Sequence, residues 1–120
     1  YRLSSVQGDR YAGEWVRDAF RKEGIFYEHS ERAKSAIYLD LLPLINSRAV
    51  DLLDDERLVR QLVSLERRIT RTGRDIIDHP PGLHDDLANA VAGAVTLAAK
   101  QAGYTPANDF RYTFKPRQVV

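Results

Sequence analysis

Between Ala12 and Lys22 the apolar residues fall at Ala12, Trp15, Val16, Ala19 and Phe20. Intervals of three and four predict a helix with one apolar face, and Gly24 follows where a left-handed C-terminal cap is expected. The pattern differs on either side. "LSSVQ" before Gly8 and "IFYEH" over 25–29 read as short strands, so the opening segment predicts a βαβ unit if the strands run parallel. A second helix is predicted over about 33–46, with Ala36, Ile37, Tyr38, Leu41, Leu44 and Ile45 inward, and Pro43 should kink it or shorten its last turn. "AVDLL" over 49–53 suits a short strand or an extended connector. Asp54 or Asp55 can cap a third helix, about 55–67, whose Leu58, Leu62 and Leu65 form a stripe. "ITRTGRDIID" reads as two strands turning at "TG", and "HPPGL" as a rigid loop that continues neither. The clearest element is the final helix, about 85–101.

This order, β-α-β-α-β-α-β-β-α, predicts an α/β sheet flanked by helices. The length of 120 residues allows one domain, and 43% hydrophobic with 29% charged residues is ordinary for a soluble globular chain. No apolar run approaches the span of a membrane. Cysteine is absent, which excludes disulfides and thiolate metal sites. Net charge is +1, so a nucleic-acid surface would need local clustering of basic residues. The chain opens on "YRLSSVQGD", without an initiator methionine, and reads as a piece of something longer.

Candidate chemistry gathers at the head of the final helix, in "HDDLANAVAGA". On a wheel of about 100° per residue, Leu87, Ala90, Val91, Ala94, Val95 and Ala98 share one arc, which should face the sheet. That arc sets Asp86 at the border of the buried face, with Asp85 nearly opposite as a cap or helper and His84 close to the buried side. Asp9 directly follows the first strand, and ligands in open α/β sheets collect at the carboxyl ends of strands. Asp9 and Asp86 converge if the final helix starts at that edge. Gathered carboxylates repel unless a cation neutralises them, and hard ions such as Mg²⁺ or Mn²⁺ take oxygen ligands. Ordinary capping and surface ion pairing account for the same residues without any metal.

"GDRYAGEWVRDAFRKEGI", then "SERAKSAIYLDLLPLINSRAVDLLDDERLVRQLVSLERR", and finally "HDDLANAVAGA" resemble the C-terminal nuclease domain of the large terminase subunit of tailed bacteriophages. The resemblance runs from about residue 5 to residue 98. It implies a ribonuclease H-like fold, a mixed sheet flanked by helices, here without the first strands. It also implies a metal-dependent endonuclease that cuts concatemeric viral DNA during packaging, with Asp9, Asp85 and Asp86 as catalytic and metal-binding positions for two Mg²⁺ or Mn²⁺ ions. The implied partners are double-stranded DNA, the small terminase subunit and the portal protein, in the cytoplasm of a bacterial host. The family's site has a further Asp on an upstream strand that this chain does not contain, and no phosphate-binding "GxxxxGK[ST]" motif of the packaging ATPase occurs. This chain alone is therefore expected to be inactive and, with a sheet edge left open, to self-associate.

Lys34 matches a basic position near the family's site. Arg67, Arg68, Arg71 and Arg74 cluster on the hairpin, where they can contact DNA phosphates or simply pair with Glu66 and Asp75. His84 suits a supporting position behind the ligands. Trp15 and Phe20 read as core, and His29 and His79 fit no pattern. Residues 1–103 form the nuclease-like domain, and the tail over 104–120, with Arg111, Lys115 and Arg117 among aromatics, is expected to be disordered. The competing function is a noncatalytic module that docks DNA or a packaging partner.

Overall fold

The computed structural model describes residues 2–8, 13–30 and 33–104. The opening segment is a parallel βαβ unit: β1 (Ser5–Gly8), α1 (Glu14–Lys22) and β2 (Phe26–His29), with Ser5 opposite Phe26 and Gly8 opposite His29. Gly24 ends α1 at φ 71°, and the Ile25 N–H reaches back to the Phe20 carbonyl at 2.9 Å. This is the glycine-dependent cap that the sequence predicts. Phe20 stacks on Tyr27 with ring centroids 5.6 Å apart, which anchors helix to strand. Trp15 departs from expectation, since it is 75% exposed. Strands lie about 4.8 Å apart, whereas a helix with its side chains is about 10 Å across. Two strands are too narrow to cover the whole apolar stripe, so Val16 and Phe20 are half-buried and Trp15 and Ala19 are left open.

The rest of the described chain packs around α4 (Asp86–Gln101), which rests against α2 (Lys34–Asn46) and α3 (Glu56–Val63). Ile37, Tyr38, Leu41, Leu58, Ala88 and Ala92 form the core, with Leu52, Leu62, Leu65 and Ile77 against it. Pro43 lies inside α2 without ending it, and the helix runs on to Asn46. Ile45, expected inward, is 36% exposed. Asp55 caps α3 by accepting the Leu58 N–H at 2.8 Å, as the sequence predicts. That helix ends at Val63 rather than near 67, because Glu66–Ile69 (β3) pairs antiparallel with Asp75–Asp78 (β4). Residues 49–53 form neither a helix nor a strand.

The architecture is mixed α/β with four helices and two separate two-stranded sheets among the described residues. The buried face of α4 also differs from the wheel. Ala88 and Ala92 are fully buried while Ala90 and Ala94 are exposed, so the helix is turned by about 100° from the predicted setting. Both α2 and α3 lie on it, and the small side chains of Ala88 and Ala92 permit that double contact.

Candidate metal centre

The site is assembled where α2 begins, β4 ends and α4 begins. Ser35, in the first turn of α2, accepts the Ile77 N–H at 3.0 Å and donates to the Ile77 carbonyl at 3.4 Å. Those two bonds occupy the outer edge of β4 at Ile77 and set Lys34 beside Asp78. The "HPPGL" loop then returns the chain to Asp85, immediately before α4.

Asp85 is the N-cap residue of α4, yet its side chain makes no capping hydrogen bond. The backbone N–H of Ala88, which such a cap would satisfy, is taken instead by the Gln61 side-chain oxygen from α3 at 2.9 Å. Gln61 is itself buried. The Asp85 carboxylate is thereby free to turn inward, where it is only 5% exposed. Tyr38 donates its hydroxyl to Oδ2 at 2.9 Å, and Lys34 Nζ lies 2.9 Å from the same oxygen. Lys34 also bonds Asp78 Oδ1 at 2.6 Å, so one ammonium spans both carboxylates.

His79 completes the group. Its Nδ1 lies 2.9 Å from the Pro80 carbonyl, which can only accept, so Nδ1 carries the proton. In the neutral ring Nε2 therefore presents a lone pair, 3.8 Å from Asp78 Oδ1 and 3.8 Å from Asp85 Oδ1. One ligand atom from each of Asp78, His79 and Asp85 lies within 4.8 Å of the others. An ion held at about 2.1 Å from its ligands separates opposite ones by about 4.2 Å. Side-chain movements of less than about 1 Å would close the three donors on a common centre. Two carboxylates and an imidazole whose second nitrogen is fixed by a carbonyl form a donor set that fits a divalent cation.

Electrostatics follow from the contacts. Burial opposes the Lys34 charge, but the hydrogen bonds to Asp78 and Asp85 outweigh it and raise its pKa above the ordinary lysine value. The Lys34 bond holds the Asp78 carboxyl below the usual carboxylate range, assisted by the His79 N–H. Burial, and then the bond to Asp85, push the Tyr38 hydroxyl far above its normal pKa, so it remains a donor at any physiological pH.

The sequence-derived candidates separate. Asp85 and Lys34 enter the site, but Asp86, favoured by the wheel, is exposed at the start of α4 because the buried arc is rotated by one residue. Asp9 lies outside the described residues, so its convergence with Asp86 is not described. His84 is exposed rather than near the buried face, with its ring 6.3 Å from that of His79. Arg67 makes a two-pronged bond to Asp75, and Arg68 pairs with Glu66 at 2.6 Å. Arg71 and Arg74 are exposed at the turn and make no ion pair among the described residues. The sequence does not mark Asp78, His79, Tyr38 or Gln61 for the site. A carboxylate–imidazole pair at the end of a strand, before a proline-stiffened loop leading back to two more carboxylates, was the available signal for the first two.

The chain matches no family model, no curated protein and no solved structure. Among the described residues no helix is long and apolar enough to cross a membrane.

Proposed function

We propose that this chain is part of a divalent-metal-dependent DNA endonuclease, of the kind found in phage or prophage terminase large subunits with a ribonuclease H-like fold. One observation carries the reading: Asp85 sits at a helix N-terminus, is relieved of capping by Gln61, and is buried beside Asp78 and the free Nε2 of His79. The resemblance of "HDDLANA" to that family supports it. Asp85, Asp78 and His79 would hold the ion, and a bound cation would supply charge to activate water and to stabilise the oxygens of a phosphodiester. An imidazole in the donor set favours Mn²⁺ over Mg²⁺. Tyr38 fixes the Asp85 rotamer, and Lys34 holds the two carboxylates at close range by offsetting their repulsion. Arg71 and Arg74, free of acidic partners, are the hairpin residues available to DNA phosphates. Asp9 and an acidic residue on an upstream strand would complete the two-metal site, with double-stranded DNA, the small terminase subunit and the portal as partners in the bacterial cytoplasm.

A second reading is a noncatalytic docking module, and it is favoured by Lys34, whose ammonium already pairs with both carboxylates. Manganese binding separates the two. Titration followed by the paramagnetic signal of free Mn²⁺ should show a site lost in both Asp85→Asn and His79→Ala but kept in Asp86→Asn. The 120-residue chain should barely cut plasmid DNA, whereas a longer form carrying the upstream strand should nick it and lose that activity with Asp85→Asn. Absence of Mn²⁺ binding by the wild-type chain would favour the docking module. Cutting by the longer form that survives Asp85→Asn would remove the site from the reaction.

A further inference from the structure

One side of α1 carries four charges in alternating sign, Glu14, Arg17, Asp18 and Arg21. With Ile25, Phe26 and Tyr27 they line one groove along the helix. None of the four makes an ion pair among the described residues. Within the helix their pairings offset one another, since Glu14–Arg17 and Asp18–Arg21 are opposite charges three residues apart while Glu14–Asp18 and Arg17–Arg21 are like charges four apart. The order of signs is self-complementary, however. About a two-fold axis passing between Arg17 and Asp18, an antiparallel second helix sets Glu14 against Arg21 and Arg17 against Asp18, each contact made twice. A parallel copy would set Glu14 against Glu14. Trp15, 75% exposed, precedes Asp18 by three residues and borders the charged side of the helix. Aromatic side chains are the commonest anchors of protein interfaces, and a two-fold contact uses one patch on both partners.

We propose that α1 is a homodimer interface, joined to α1 of a second copy in antiparallel register, with Trp15 supplying apolar contact and the four charges setting direction. This requires neither the metal centre nor any nuclease activity. Sedimentation equilibrium of the 120-residue chain tests it. The wild type should show a concentration-dependent monomer–dimer equilibrium that weakens with salt. Glu14→Arg alone and Arg21→Glu alone each place like charges opposite one another twice, and each should raise the dimer dissociation constant about tenfold. Mixing the two variants in equal amounts should restore the dimer, because each supplies the charge the other lacks. A chain that remains monomeric at every concentration overturns the proposal. So does association indifferent to both reversals, which would place the contact at a sheet edge, or a mixture no tighter than its components.

Discussion

Asp85 shows how one side chain can acquire an unexpected setting. A helical wheel fixes relative directions but not which direction is inward, and a rotation of one residue exchanges Asp86 for Asp85. The inward residue then needs partners, which Tyr38 and Lys34 provide. This contact has a definite pH signature. The Asp78 carboxyl is held below its ordinary value by Lys34, so its contribution to stability is present above about pH 3.9 and is lost as pH falls through the lower folded value. Lys34 is shifted upward, so its contribution is intact below about pH 10.4 and is lost as pH rises through the higher folded value. Melting temperature should therefore show a plateau between these limits. Asp78→Asn should reduce the slope on the acid side and Lys34→Met the slope on the alkaline side, as thermal unfolding across the pH range would show. An acid limb unchanged in Asp78→Asn would mean that the 2.6 Å contact with Lys34 contributes nothing in solution. His79 gave no periodic signal, because its relation to Asp85 is made by a loop and not by a spacing.

At the scale of elements, the N-terminus of α4 depends on a residue from another helix. Gln61 is buried, and its oxygen is the partner of the buried Ala88 N–H. Replacing it with Leu leaves that donor unpaired, and should cost about 1–3 kcal/mol in urea unfolding. Asp86→Ala at the exposed first turn should cost less than about 1 kcal/mol, which is a dipole effect alone. Equal losses would mean that the Gln61 bond is not what secures α4. No local pattern could reveal this contact, since Gln61 occupies an ordinary helical position far from Ala88 in sequence. Asp55, Gly24 and the helical periods of α2 and α4 report short-range geometry, which the sequence encodes directly, whereas the inward direction of α4 is set by its neighbours. The hairpin follows from the sequence, but β3 starts earlier than expected, at Glu66, because Glu66, Arg67 and Arg68 are all exposed and show neither periodicity. The connector over 49–53 has strand composition but forms neither a helix nor a strand.

Across the whole molecule, the packed elements fall into two sets. β2 contacts β1 and α1, while α4 contacts α2 and α3, α2 contacts β4 and β4 contacts β3, and among the described residues no pair of elements joins the two sets extensively. The sets are unequal in core. α1 has no buried residue and Tyr27 is the single buried residue of β2, whereas the second set encloses Leu58, Ala88 and Ala92. Parallel strands are ordinarily covered on both faces, and a two-stranded sheet is marginal on its own. Local opening free energy follows buried apolar contact, so the βαβ unit should open well before the helical core. In native-state hydrogen exchange, amides of β1 and β2 should exchange through an opening several kcal/mol less costly than that of mid-α4 amides. Tyr27→Ala should abolish protection in the first set and leave α4 protection and the Asp85 site intact. Concentration adds a second dimension, because an antiparallel α1 pair binds only the closed form of the unit. Protection of α1 and β2 should then rise with protein concentration, by mass action, while α4 protection stays constant. Exchange at one common free energy throughout, independent of concentration, would mean that the two sets fold as one unit and that α1 gains no partner.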